Sequence, residues 1–199
     1  MEPLRLAGSR KVAIVSMFTA LAVATDYAMF PLANIKVMDA IVFVCAVTFG
    51  LQVGASVGVL TWLVYGEVNP LGPDGGLLLL ILMGSETVYA LLGFLVRRSL
   101  GSDAYAPPAR SLLWGSLGLM GAFLYDLVTN IVPPLVAGTS PVAAVLFLVP
   151  AFPFMVAHEA SDFFFFATLA PILYGAIRRV AKREIEVVSV GPQVLDSKP

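Results

Sequence analysis

The chain is poor in charge, in cysteine and in histidine. Only 13% of its 199 residues are charged, where a soluble globular protein carries about 25%. That shortage, with 59% hydrophobic residues and a mean hydropathy of +0.91, excludes a cytosolic enzyme and a disordered chain. A soluble fold of this size has too much surface in contact with water to hide so much apolar area. One cysteine, Cys45, in an apolar run excludes a disulfide scaffold and any multi-cysteine metal site. Cys45 reads as a small packing residue. One histidine, His158, limits transition-metal chemistry. The N-terminus shows no cleavable signal pattern, since its first apolar run continues to Phe30 with no cleavage motif after it.

Sequence motifs for common chemistries are missing too. No G-x-x-x-x-G-K-[ST] loop is present, so ATP hydrolysis by that route is excluded. Gly72-Pro73-Asp74-Gly75-Gly76 is glycine-rich but lacks the lysine, and reads as a loop. No G-x-S-x-G is present, which disfavours an intramembrane serine protease. Tyr125-Asp126 lacks the glycine-framed second aspartate of an intramembrane aspartyl protease. No catalytic residue, cofactor or nucleic-acid partner is expected.

What is present is a set of long apolar runs. At about 20 residues per crossing, six spans use about 120 residues and leave short loops. The expected architecture is all-α: a six-helix membrane domain over 12–178, between a polar segment, 1–11, and a charged tail, 179–199. Spans are expected near Val12–Phe30, Val37–Phe49, Val53–Gly66, Leu77–Val96, Ser111–Val136 and Phe154–Ile177. Residues 137–152, with Pro141 and Pro150, read as a re-entrant or interfacial piece.

The basic residues orient these spans. With the N-terminus inside, Arg5, Arg10, Lys11, Arg97, Arg98, Arg110, Arg178, Arg179, Lys182, Arg183 and Lys198 fall in inner segments, and Lys36 alone falls outside. That asymmetry predicts both termini in the cytoplasm of a multi-pass plasma-membrane protein.

The acids collect at the other end. Asp26, Asp39, Glu67, Asp74, Glu86, Asp126, Glu159 and Asp162 lie in the outer half or outer loops. Several fall within spans, which is costly unless they face a cavity or a partner. At 1.5 Å per residue, Asp26 and Asp126 lie roughly 20 and 22 Å from the inner end, and Glu86 roughly 13 Å below the outer end. His158 and Asp162, four residues apart on one helix face, lie roughly 6–12 Å deep. They could ligate a metal, but one histidine with carboxylates is a weak transition-metal set, and no metal is expected. A packing cluster and a ligand pocket both remain.

Spacing favours the pocket. Glu86, Tyr89 and Gly93 share one face of their span. Asp126 and Asn130 share a face of the next, with Tyr125 and Thr129 adjoining. Aromatic rings with carboxylates suit a small, flat, partly cationic molecule. The expected ligand-binding set is Glu86, Tyr89, Tyr125, Asp126, Asn130, His158, Glu159 and Asp162. Of Phe163–Phe166, at most one is assigned to a pocket. Trp62, Tyr65 and Trp114 read as interfacial anchors.

Small residues form stripes that allow close helix approach in lipid. One runs through Ser16, Ala20, Ala24 and Ala28, one through Gly50, Gly54 and Gly58, and one through Gly115, Gly118 and Gly121. Each is either internal packing or, best for Ala20, Ala24 and Ala28, a docking face for another membrane protein.

Asn34-Ile35-Lys36-Val37-Met38-Asp39, the apolar run ending Phe49-Gly50, and Gly54 with Gly58 resemble the substrate-binding S components of energy-coupling factor (ECF) vitamin transporters. The Ala20/Ala24 stripe is similar to that family's docking motif. Residues 147–162, with Pro150, Phe152, Pro153 and Asp162, resemble the proline-broken start of its sixth helix. The likeness covers about 12–178 and matches no single substrate subgroup. The early histidine of the nickel and cobalt binders is missing, which counts against a metal substrate. The resemblance implies a prokaryotic S-component-like bundle that captures a vitamin-like micronutrient from outside. It also implies partnership with a membrane scaffold (T) subunit and two cytosolic ATPases, the scaffold meeting the alanine stripe. A stand-alone cation- or proton-coupled transporter or channel using Asp26, Glu86 and Asp126, and a structural membrane protein without ligand, are the alternatives.

Overall fold

The computed structural model describes residues 8–99 and 107–190. Arg5, Lys198 and much of the two terminal segments lie outside them, and Lys182 and Arg183 are described as helical backbone only. Every regular element among the described residues is a helix: α1 (Gly8–Met29), α2 (Met38–Phe49), α3 (Leu51–Val68), α4 (Gly76–Ser99), α5 (Pro107–Val136), α6 (Pro141–Leu146) and α7 (Leu148–Val190).

Five of these, α1, α3, α4, α5 and α7, are long and apolar enough to cross a membrane. The sixth expected span differs. α2 has 12 residues, about 18 Å of helix, too short by itself for a hydrocarbon core of about 30 Å. It is enclosed by protein instead. All residues from Met38 to Val47 are buried, with α3, α4 and α7 packed around them. Gly50 ends it with a φ of 101°, a left-handed conformation that suits glycine, and α3 starts at the next residue.

Contacts between helix ends fix the directions. Lys11 donates to Gln52 Oε1 at 2.6 Å, and the Tyr27 hydroxyl donates to the Val68 carbonyl, so α1 and α3 run parallel. Arg97 at the end of α4 donates to the Thr48 carbonyl at 2.7 Å, at the end of α2. The Asp74 amide, ahead of α4, donates to the Gly66 carbonyl near the end of α3. Trp114 and Tyr174 meet edge to face, while Asp126 meets His158, so α5 and α7 are antiparallel. The long helices and α2 therefore alternate in direction. Arg10, Lys11, Arg97, Arg98, Arg110, Arg178 and Arg179 gather at one end, and Lys36 lies at the other.

Two glycine stripes are internal. A Cβ on Gly54 would lie 2.6 Å from Ala46 Cβ, and one on Gly93 would lie 2.4 Å from the Phe43 carbonyl oxygen. Gly115 and Gly118 bring α5 onto α7, where added Cβ atoms would stand 2.9 Å from the Phe163 carbonyl oxygen and 2.8 Å from that of Asp162. The α1 stripe is different. Ser16, Ala20, Ala24 and Ala28 are all exposed on the outer face of the bundle.

The stretch expected as an interfacial piece forms α6, exposed at the Lys36 end. Ser140 caps it by accepting from the Ala143 amide at 3.3 Å, and Pro141 opens its first turn. α7 starts at Leu148, six residues before the expected span. Pro150 falls in its first turn, where a missing amide costs least, whereas Pro153 and Pro171 lie inside the helix.

Candidate functional site

The glycines that tighten the bundle also place its polar side chains. Gly58 on α3 leaves the space that Glu86 fills, since a Cβ there would meet Glu86 Cγ at 2.6 Å. Gly121 on α5 does the same for Tyr89, at 2.7 Å. Gly118 accommodates Phe166, the fully buried member of the phenylalanine run, whereas Phe164 is 60% exposed.

These side chains form a buried layer centred on His158. Its Nδ1 lies 3.1 Å from Asp126 Oδ1, and its Nε2 lies 3.1 Å from Asp39 Oδ2. Asp162 Oδ2, one helical turn on, is 3.9 Å from the same Nε2, and the Tyr89 hydroxyl is 3.4 Å away. Tyr125 stands edge-on to the imidazole, with centroids 5.7 Å apart. Glu86 lies in the same region, accepting from Trp62 Nε1 at 3.1 Å. His158, Asp39, Glu86, Tyr89 and Asp162 are at most 1% exposed.

Above this layer, at the Lys36 end, is a cavity of about 380 Å³. Trp62 and Tyr125 wall one side, stacked at 6.4 Å with planes 18° apart. Asp126 and Asn130 from α5, Asp74 from the α3–α4 loop and Lys36 supply its polar groups. The Lys36 ammonium lies 4.1 Å from the Trp62 ring centroid and 5.9 Å from that of Tyr125. The chain's own cation thus already lies against this aromatic wall. Partial burial raises the Asp74 carboxyl above its ordinary pKa, and Lys36 pulls it back down.

The eight expected ligand residues therefore divide. Tyr125, Asp126 and Asn130 line the cavity. Glu86, Tyr89, His158 and Asp162 lie outside its lining, in the buried layer, with Asp126 belonging to both. Glu159 is half-buried on α7 and outside the lining as well. The expectation of one water-accessible cavity around all of them gives way to a cavity over a packed polar layer, because Gly58, Gly118 and Gly121 let the helices close on those side chains.

Three residues take parts that the sequence reading did not give them. Asp39 contacts His158 from the first turn of α2. Trp62 and Trp114, expected as interfacial anchors, are 4% and 1% exposed. Trp62 follows Gly54 and Gly58 at four-residue spacing, and Trp114 precedes Gly118 by four. A tryptophan on the same face as a packing stripe points into the bundle, and that signal was available in the sequence.

Asp26 on α1 is buried, and neither of its carboxylate oxygens has a hydrogen-bond partner among the described residues. Comparison with protein-family models, curated proteins and solved structures gives no match.

Proposed function

We propose that the chain is a non-catalytic, substrate-binding subunit of an ECF-type importer in a prokaryotic plasma membrane. It captures a small vitamin-like molecule from outside and hands it to a membrane scaffold driven by two cytosolic ATPases. One observation carries the reading: the cavity walled by Trp62 and Tyr125, with Asp74, Asp126 and Asn130 around it, at the end of the bundle away from the basic cluster. By the positive-inside rule, that end is extracellular and both termini are cytoplasmic. A mixed aromatic and polar lining of this size suits a flat ligand bearing positive charge or several hydrogen-bond donors.

The exposed Ala20, Ala24 and Ala28 face of α1 supports docking to the scaffold, since small side chains let a partner helix approach closely. Ala20→Leu and Ala24→Leu are expected to leave folding and ligand binding intact while abolishing uptake by whole cells. Unchanged uptake in both variants would remove α1 as the docking face.

A second reading has its own support. Asp26, Glu86, Asp126 and Asp162 each carry a buried oxygen without a hydrogen-bond partner among the described residues. Such groups on four helices suit a proton- or cation-coupled transporter. Uptake by this chain alone in proteoliposomes, driven by an ion gradient and without ATP, would favour it.

A further inference from the structure

The polar layer beneath the cavity has an arrangement that ligand capture does not require. Asp39, His158 and Asp162 come from α2 and α7, and one donor atom from each falls within 4.8 Å of the others. All three side chains are buried. Neither oxygen of Asp162 has a hydrogen-bond partner among the described residues, although Oδ2 points toward His158 Nε2 at 3.9 Å. A carboxylate fully removed from solvent with both oxygens unsatisfied is costly unless a proton or a metal cation completes it.

The tautomer of His158 sharpens this. In the tautomer where Nδ1–H donates to Asp126 Oδ1, 3.1 Å away, Nε2 presents a lone pair. That lone pair faces Asp39 Oδ2 at 3.1 Å and Asp162 Oδ2 at 3.9 Å. Three acceptors facing one another, with the Tyr89 hydroxyl 3.4 Å from the same Nε2, repel unless a proton on Nε2 or a metal ion lies among them. Nitrogen and oxygen ligands of Zn²⁺ stand about 2.0–2.2 Å from the ion. Tetrahedral placement at that radius sets neighbouring donors roughly 3.4 Å apart, between the two separations from Nε2, while the two carboxylates lie within 4.8 Å of each other. Asp126 then acts as the outer carboxylate that orients a metal-bound imidazole, a recurrent feature of histidine metal sites.

We propose that Asp39 Oδ2, His158 Nε2 and Asp162 Oδ2 bind one divalent ion of the Zn²⁺ or Co²⁺ class, buried beneath the cavity. One nitrogen and two carboxylate oxygens form a borderline donor set, suited to such ions more than to Ca²⁺. Two ionised aspartates and a neutral imidazole balance the ion's charge. Asp126 is a positioning residue that joins this site to the cavity, and the proposal stands whether or not the cavity takes a vitamin.

The chain contains one histidine, so an imidazole on the metal identifies the site without any variant. Full-length protein without a polyhistidine tag is stripped with chelator in detergent and titrated with Co²⁺ alone. The expected result is one Co²⁺ per chain, displaced by Zn²⁺, with X-ray absorption showing one imidazole and otherwise oxygen ligands. Asp162→Asn, close in shape, is expected to weaken Co²⁺ binding by about tenfold or more, and Asp126→Asn by about 10- to 100-fold. Glu159→Gln is expected to leave it unchanged. Wild-type protein that binds no Co²⁺, or binds it without an imidazole ligand, overturns the proposal, and the layer is then held by protons with His158 as an imidazolium. Unaltered binding by a folded Asp162→Asn variant overturns it as well.

Discussion

His158→Leu is expected to lower the stability of the protein by about 3–5 kcal/mol, the usual effect of removing one partner from a buried charged network. The imidazole is 1% exposed and meets Asp39 and Asp126, each at 3.1 Å, from opposite edges of its ring. Leucine fills most of the volume but removes the ring nitrogens that both carboxylates meet. Both would then remain in a low-dielectric interior without compensation. At about 2–4 °C per kcal/mol for a chain of this size, the melting temperature should fall by about 6–20 °C. Thermal unfolding in detergent measures this, with Phe164→Leu as a control, because Phe164 lies 60% exposed on the same helix. Equal melting temperatures for His158→Leu and wild type would mean that the layer does not hold α2, α5 and α7 together.

The second large effect concerns the cavity. Asp126→Asn removes a charge from the lining of the cavity while keeping the shape of the side chain. Losing one charge-assisted hydrogen bond costs about 1.5–3 kcal/mol, a roughly ten- to hundredfold fall in affinity. Trp62→Ala should weaken binding further, because it deletes the ring that Lys36 covers and also the donor to Glu86. Calorimetry with the molecule that co-purifies with wild-type protein reads both. Two variants binding like wild type would move the ligand site away from the Trp62–Tyr125 wall. An anionic ligand would contradict the role given to the acids.

Much of the architecture was legible because its signals are one-dimensional. Apolar runs located the long helices to within a few residues at most ends. Arg97 with Thr48 and Lys11 with Gln52 show which helix ends meet, α4 with α2 and α1 with α3. Helical spacing correctly put Glu86 with Tyr89 and Asp126 with Asn130. It could not say how far the helices close over them, because that distance depends on which glycine faces which side chain across the bundle. Asp39 was read as an acid of the outer half and as the end of the Asn34–Asp39 motif, without a partner, for a related reason. It is 119 residues from His158 in sequence, and their meeting depends on α2 being an enclosed half-length helix. A 12-residue apolar run has the same composition whether lipid or protein surrounds it. Trp62 and Trp114 were misplaced by a rule about average positions of aromatics, when their register with Gly58 and Gly118 carried the better information.

In the proposed function this chain presents a ligand cavity at one end and works with other subunits to empty it. Gentle purification from native membranes, followed by mass spectrometry of the intact assembly, tests both halves at once. The expected result is a complex of this chain with one larger membrane subunit and two ATPase subunits, and a small bound molecule released when the chain is unfolded. A homo-oligomer of this chain alone, carrying no small molecule, would contradict it.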